Sequence, residues 1–510
     1  MTTADLQSKT KNTGNEVSGP RPGDILPILI VAALIAAIVL RVAVLAHPTL
    51  GVLDSDEAVT GLMAMHALEG DADTFYWGQP YGGTLEVFLV ALLFAILGPS
   101  TIALKVVPVV LCAVSAFLVW RIGRTIVGDP GGKFAAVTFL IWPGFFVWMS
   151  TKERGFYSAA LVLGLGAVLL ALRLLERPQA FKAFGLGVLA GLAWWTTPQV
   201  AYLLLPTGIW VVIRKPRLVR MAPVIFLGFL LGAAPWLFYN LLNGWPSRWA
   251  PLQQEESWLL AHLWGFFWRA FPRAYGITVP YSGEWLHPIV VITLLLLLVG
   301  ILVYSLGRAK SWGLPLMALA LYPILFALMP PGWAAEPRYL FFLNPMLVLL
   351  IGGWMANFRR WVFLGLALLV LTLLSVASLT QLKDSLYIET RAPDVAAPVN
   401  TRPLREVLAD NGANRVFADY WIAYRIVFES KERIIATPIG GAMRNQAFKE
   451  SVEGSRRPAY VLVEGSALDP LVERRLEELG VRARRVVAEE YVVYLPETRV
   501  LPSDIWRQEE

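Results

Sequence analysis

The chain has 510 residues, 56% of them hydrophobic and 16% charged, with 20 Trp, one Cys and a formal net charge of +6. Soluble domains carry about 25% charged residues, so a wholly water-soluble protein is excluded. The lone Cys112 excludes an intrachain disulfide and a cysteine-based zinc site.

Residues 1–23 are polar and contain Gly, Ser and Lys, which reads as a disordered cytoplasmic leader. Behind them, "ILPILIVAALIAAIVLRVAVL" has the length that a bilayer-crossing helix requires and no small-residue cleavage site after it, so it is a retained span. The same criterion places about eleven spans, at 24–46, 101–122, 134–150, 156–174, 182–196, 199–213, 221–242, 287–306, 312–330, 338–356 and 361–380. Cytoplasmic loops are rich in Lys and Arg. This set puts Arg121/Arg124/Lys133, Arg173/Arg177/Lys182, Arg214/Lys215/Arg217/Arg220, Arg308/Lys310 and Arg359/Arg360 on the inside with the N-terminus.

The first outer loop then covers 47–100. "TLEVFLVALLFAILG" (84–98) is too short to span, and counting it would move Arg121 and Arg124 outside. It and "DEAVTGLMAMHALEG" therefore read as helices near the outer interface. The second of these carries Val59, Leu62, Met63 and His66 at i, i+3, i+4 and i+7. From 381 to 510 short apolar runs alternate with amphipathic patterns, a soluble α/β domain that the crossing count puts outside. This domain has no glycine loop for a nucleotide and no basic patch for nucleic acid. The expected fold class is thus an all-α polytopic membrane protein, residues 24–380, followed by that α/β domain.

On this topology the outer side holds the carboxylates Asp54, Asp56 and Glu57 and the cations Lys152, Arg154, Arg269, Arg273 and Arg338. Arg and Lys are the usual partners of phosphate, so an anionic ligand at the outer surface is one reading. Plainer readings stand beside it. Asp54 and Glu57 have the spacing of a capping box; Lys152-Glu153-Arg154 suits a solvated turn; Arg338 suits snorkelling from a helix end. Arg269 and Arg273, with Trp245, Trp249, Trp258, Trp264 and Trp268, suit an interfacial belt, and His66 suits a packed core. Capping leaves Asp71, Asp73 and Glu86, beside "FYWGQPYGG", without a reason. An acid facing a phosphate binder is what lipid-linked sugar transfer needs.

The "DEA" after the first span, "GQPYGGTLE", "KERGFY" and "EPRYLFFLNP" resemble the GT-C membrane glycosyltransferases, in particular the protein O-mannosyltransferases and the lipid A aminoarabinose transferase. The resemblance covers residues 24–360. It implies a polyprenyl-phosphate sugar donor, membrane lipid as surroundings, near-membrane helices in the first loop, and transfer on the outer face of a bacterial inner membrane. By motif, Asp56 matches the catalytic acidic residue and Arg338, with Tyr339, the donor-phosphate position. Lys152 and Arg154 are a second phosphate contact, Asp54, Glu57 and Glu86 acidic support, and Gln79, Tyr81 and His66 substrate contacts. Relatives often have Lys-Pro-Pro where this chain has "GQPYGG", so another cation must replace that lysine, and Lys152 is the one expected. Which of Asp54 and Asp56 is the base stays open.

The implied reaction is inverting transfer of a hexosyl or pentosyl group to a hydroxyl of a glycan, lipid or protein, with Asp56 as base. It requires no cofactor, although Asp54, Asp56 and Glu57 leave a divalent metal as an alternative. The rival readings are a lipid-linked glycan flippase or transporter, whose ionisable residues should cluster at the bilayer midplane, and a polysaccharide ligase or polymerase using a pyrophosphate donor.

Overall fold

A computed structural model describes residues 22–249, 258–328, 336–358, 360–391, 398–440 and 442–506. The expected leader lies almost wholly outside the described residues, as do Arg359 and the side chains of Trp249 and Trp258. Helix α1 (Pro22–Ala46) enters a first loop that folds as α2 (Ser55–Leu68), a hairpin of β1 (Phe75–Tyr76) and β2 (Gln79–Gly83), and α3 (Leu85–Leu97). There follow α4 (Thr101–Ile126), α5 (Asp129–Ile141), α6 (Gly144–Met149), α7 (Tyr157–Glu176), α8 (Ala180–Thr196), α9 (Ala201–Arg214), α10 (Ala222–Gly232) and α11 (Ala234–Leu242). The helical part ends with α12 (Trp258–Gly265), α13 (Phe271–Ala274), α14 (Pro288–Leu306), α15 (Ala309–Ala327), α16 (Asn344–Met355) and α17 (Trp361–Arg391).

This is a multi-pass membrane protein. Six described helices, α1, α4, α7, α14, α15 and α17, are long and apolar enough to cross a bilayer, and a seventh span arises if the pair α10–α11, bent by 65°, counts as one. The eleven expected spans are not all met on this criterion of length and composition: some of the expected runs form helices shorter than it requires, and backbone breaks divide others. Pro143 separates α5 from α6, and Pro235 opens α11 just after the bend; proline lacks the N–H that would continue a helix. Helices α8 and α16 are short apolar helices. Helices α8 and α10 meet through Gly187, Gly191, Gly228 and Gly232, where an added Cβ would lie 2.0–2.2 Å from a carbonyl oxygen of the facing helix. Small residues four apart let membrane helices approach this closely.

Beyond α17, which runs past residue 380, come α18 (Arg402–Asp410), β3 (Arg415–Ala418), α19 (Tyr420–Glu429), β4 (Ile435–Pro438), α20 (Gln446–Glu453), β5 (Ala459–Val463), α21 (Leu468–Glu478), β6 (Ala483–Ala488), β7 (Tyr491–Pro496) and α22 (Pro502–Trp506). The sheet order is β4-β3-β5-β7-β6. Strand β3 is parallel to both its neighbours, with Arg415 opposite Ile435 and Val416 opposite Ala459. Strand β7 runs antiparallel to β5 and β6. The central strands "VFA" and "AYVL" are buried, the pattern of a sheet covered on both faces. Edge strand β6 exposes Arg484 and Arg485, charges that discourage a further strand from pairing there.

The two helices of the first loop differ from each other. In α3, Glu86, Val87, Val90, Ala91 and Phe94 are buried while Phe88, Leu92, Ile96 and Leu97 are exposed. In α2, Val59, Leu62 and Met63 are buried, and so are Ala58, Thr60, Gly61 and Ala64. Helix α2 is not an interfacial helix open on one side, because α3 packs on it from the membrane part and α19 from the C-terminal sheet. His66 joins the same contact: its Nε2 lies 2.8 Å from Glu432 Oε1, and its ring meets Trp77 and Phe448 edge-on.

The bond to Glu432 raises the His66 pKa above 6.5 against the opposing effect of partial burial. Stability from a raised folded pKa is complete below the unfolded value and is lost as pH rises through the folded one. The thermal midpoint should therefore fall more steeply as pH rises above the ordinary histidine value of 6.5 in the native chain than in His66→Gln. Equal slopes in the two proteins would exclude this contribution.

Candidate active site

Asp54 caps α2, accepting the Glu57 N–H at 3.1 Å, while the Glu57 carboxylate accepts the Asp54 N–H at 3.3 Å. The capping box is real, yet it does not exhaust these carboxylates. The fully buried Glu57 side chain lies 2.5 Å from Lys105 Nζ and 3.0 Å from Lys152 Nζ, and it accepts the Glu153 N–H at 3.2 Å. Lys152 Nζ also donates to the Val52 carbonyl at 2.5 Å and lies 3.5 Å from Asp54. Lys152, expected as a second phosphate contact, thus has its ammonium held within this buried network. The solvated-turn reading of Lys152-Glu153-Arg154 falls, since the Lys152 and Arg154 side chains are only 2% and 10% exposed.

Arg154 grips both aspartates. Its Nη1 lies 3.2 Å from Asp54 Oδ1 and 3.0 Å from Asp56 Oδ2, and its Nη2 lies 3.0 Å from Asp54 Oδ2. Burial alone would raise the Asp54 carboxyl, but Arg154, Lys152 and the Glu57 N–H hold it well below its ordinary range. Glu86, expected as acidic support, is wholly buried and accepts the Ala159 N–H at 2.5 Å. Its partner is Glu153, which accepts the Gly155 N–H at 3.0 Å. Burial, then the neighbouring Glu86 charge, raises the Glu153 pKa far above a carboxylate's, and burial raises that of Glu86. The Ala159 N–H bond to Glu86 ties the segment behind Arg154 to α3.

Asp56, in the first turn of α2, faces a cavity of about 150 Å³. The β1–β2 hairpin contributes Tyr76, Gln79 and Tyr81, the segment opening α7 contributes Arg154, Phe156 and Tyr157, and the turn between α8 and α9 contributes Gln199. The 3-10 turn Pro337–Leu340 brings Arg338 and Tyr339 to the same cavity, and the C-terminal domain brings Arg444. Tyr76 donates to the Asp56 carbonyl at 2.6 Å, and Tyr420 donates to Asp56 Oδ1. Burial and the Asp56 charge raise the Tyr420 pKa, so the phenol stays protonated and donates.

Arg338 does not snorkel away from the protein. Its guanidinium carbon lies 5.3 Å from the Tyr339 ring centroid, and its Nε, 3.8 Å from Glu336, makes no hydrogen bond among the described residues. Asp56 and Arg338, the base and the phosphate binder of the sequence reading, thus line one chamber, with Arg154, Tyr339, Gln79 and Tyr81. Lys152, Glu57, Glu86 and Asp54 support its wall from behind. His66 lies outside it, on Glu432. Arg269 and Arg273 line a separate groove of about 570 Å³ with Trp264, Trp268 and Trp285. Among the described residues no group of three or more His, Cys, Asp or Glu is disposed to hold a metal, since the carboxylates of the first loop are turned onto lysine and arginine.

No protein-family model matches the chain, and no curated protein matches it. Among solved structures, ArnT from Cupriavidus metallidurans, the lipid A aminoarabinose transferase, matches in the apo state with a TM-score of 0.57 and 13% identity, over 95% of this chain and 99% of that one. Its structure bound to undecaprenyl phosphate matches with a TM-score of 0.56 and 12% identity, over 93% and 98%. The fold is of the GT-C type. The archaeal oligosaccharyltransferase AglB from Archaeoglobus fulgidus gives a TM-score of 0.48 at 11% identity, over 94% of this chain and 77% of that one.

Within this GT-C fold, sequence reasoning missed Lys105, Tyr157, Gln199, Tyr420 and Arg444. Lys105 carried a signal, as a lone charge inside an apolar span must find a partner. Gln199 belongs to "TTPQ", a polar break between two apolar runs. Tyr420 sits in "ADYWIAYRIVFES", whose aromatics read as core, and Tyr424 of that segment is indeed buried. For Arg444, in an ordinary polar loop, the sequence holds no signal.

Proposed function

We propose that the chain is a glycosyltransferase that moves a hexosyl or pentosyl group from a polyprenyl-phosphate donor to an acceptor hydroxyl of a glycan, lipid or protein, with inversion. Transfer takes place at the outer face of a bacterial inner membrane, with the N-terminus cytoplasmic and the domain of residues 381–510 outside. The observation that carries this reading is the shared chamber: the Asp56 carboxylate and the Arg338 guanidinium line the same cavity. The overall likeness to ArnT, solved with undecaprenyl phosphate bound, supports it.

In this mechanism Asp56 takes the proton of the acceptor hydroxyl as the oxygen attacks the anomeric carbon. The hydroxyl becomes acidic only as the new bond forms, so a positioned carboxylate suffices. The bond from that carbon to the phosphate oxygen breaks, and its electron pair leaves with the phosphate. Arg338 meets the charge that gathers there, the electrostatic contribution that usually dominates such catalysis. Tyr339 stands with Arg338 at the phosphate, and Gln79 and Tyr81 supply an amide and a phenol to the sugar. An apolar crevice of about 740 Å³ between α14, α16 and α17 has the polarity that an isoprenoid chain requires. Guanidinium groups neutralise a monophosphate leaving group, so the reaction needs no metal.

The test is a two-part assay on the purified full chain. Incubation with a labelled polyprenyl-phosphate sugar and a hydroxyl acceptor should release polyprenyl phosphate and label the acceptor. Arg338→Ala should lower kcat/KM by about 10²–10³-fold, the usual loss for a preorganised donor at developing charge. Unchanged donor affinity and turnover in that variant would remove the phosphate role.

A further inference from the structure

We infer that the C-terminal domain is part of this chamber: Arg444 contributes a guanidinium to the departing phosphate, and Tyr420 holds Arg444 and the Asp56 carboxylate in register. The inference rests on the glycosyl-transfer reading above and extends it to residues of the C-terminal domain.

The Arg444 side chain is 11% exposed, with Nη2 3.7 Å from Asp56 Oδ1. That is an ion pair too long to be a hydrogen bond, so the guanidinium faces the carboxylate without being bound to it. Its Nε donates to Tyr420 Oη at 3.1 Å, and Tyr420 in turn donates to Asp56. With the Gln79 amide oxygen turned toward it, Gln79 accepts from Nη1 and Nη2 at 2.7 and 3.0 Å. The Arg444 N–H donates to Tyr424 Oη at 2.6 Å, which fixes the loop on its own domain.

The docking of this loop is built at two glycines. Gly78 has φ +68°, and a Cβ there would lie 2.9 Å from the Met443 carbonyl; at Gly61 of α2 a Cβ would lie 2.5 Å from the Phe428 ring of α19. Only without side chains at these positions do the two parts of the chain close on the Asp56 turn.

Charge movement gives Arg444 its role. As the glycosidic bond to phosphate breaks, the phosphodiester becomes a monoester and gains one negative charge, while Asp56 loses one by taking the proton. Arg154 is occupied by Asp54 and Asp56 and follows neither change. Arg338 and Arg444 line the cavity with capacity to follow the charge, and Arg444 stands beside the carboxylate that is losing it. The cation that "GQPYGG" lacks is thereby supplied by a residue resting on Gln79 of that same motif.

The experiment measures binding of undecaprenyl phosphate alone to the full chain in detergent, so that no turnover is needed. Native protein should bind it, Arg444→Gln should bind about tenfold more weakly or worse, and Arg444→Lys should fall between, since lysine restores the charge without the fork. Binding in Arg444→Gln equal to native overturns the inference and leaves the glycosyl-transfer reading intact. Absence of binding in native protein sinks that reading first. Tyr420→Phe, which keeps the ring and spares the fold, gives an independent readout. It should lower kcat and shift the pH profile of transfer at unchanged donor KM, and a native kcat and profile would overturn the positioning role.

Discussion

Asp56→Asn is expected to slow sugar transfer by about 10²–10⁴-fold, the usual contribution of a positioned base, while donor binding survives. The substitution is nearly isosteric, and the wall of the chamber does not depend on the lost charge. Arg154 keeps both of its contacts to Asp54, and Tyr420 can still donate to the Asn carbonyl oxygen. The neighbouring Asp54 cannot take over. Its oxygens are engaged by the Glu57 N–H, by both Nη atoms of Arg154 and by Lys152, and it does not line the cavity. On the proposed mechanism the choice between two aspartates that the sequence left open falls to Asp56, which lines the cavity where Asp54 does not. Single-turnover transfer with labelled donor checks this, and a native rate in Asp56→Asn would end the assignment.

What could be read in advance has a physical pattern. Asp56 and Arg338 were legible because each breaks a rule of its neighbourhood: a cluster of acids beyond what a cap needs, and a cation on the side that the sequence reading takes as outer, where the positive-inside rule puts few. The α/β character of the C-terminal region was legible from its change of period after the last span. Contacts that close the site were not. Tyr420 meets Asp56 across 364 residues of sequence, and an amphipathic helix such as α19 shows that it has a buried face but not what buries it. The same blindness made α2 read as a helix open on one side when α3 and α19 both pack against it. The breaks inside the expected spans escaped notice for a different reason. Hydropathy averages over a window, whereas Pro143 and the bend before Pro235 act on single backbone hydrogen bonds and divide runs that look continuous.

Glu57 is the residue on which the buried side of the site depends most. Its carboxylate is wholly buried between Lys105 and Lys152, whose side chains are 6% and 2% exposed, and it also closes the cap of α2. Glu57→Gln preserves size and some hydrogen bonding but leaves two buried ammonium groups with Asp54, 3.5 Å from Lys152, as the nearest remaining carboxylate. Breaking a buried pair from one side costs about 3–5 kcal/mol, because the surviving charge stays desolvated. The thermal midpoint in detergent should therefore fall sharply, and transfer should be lost with the fold. The double variant Glu57→Gln/Lys105→Met should recover part of that loss, since removing both partners of a buried pair costs far less than removing one. A double variant no more stable than Glu57→Gln would mean that the stability of this region comes from the cap and the surrounding packing, and that the lysines reach solvent by another route.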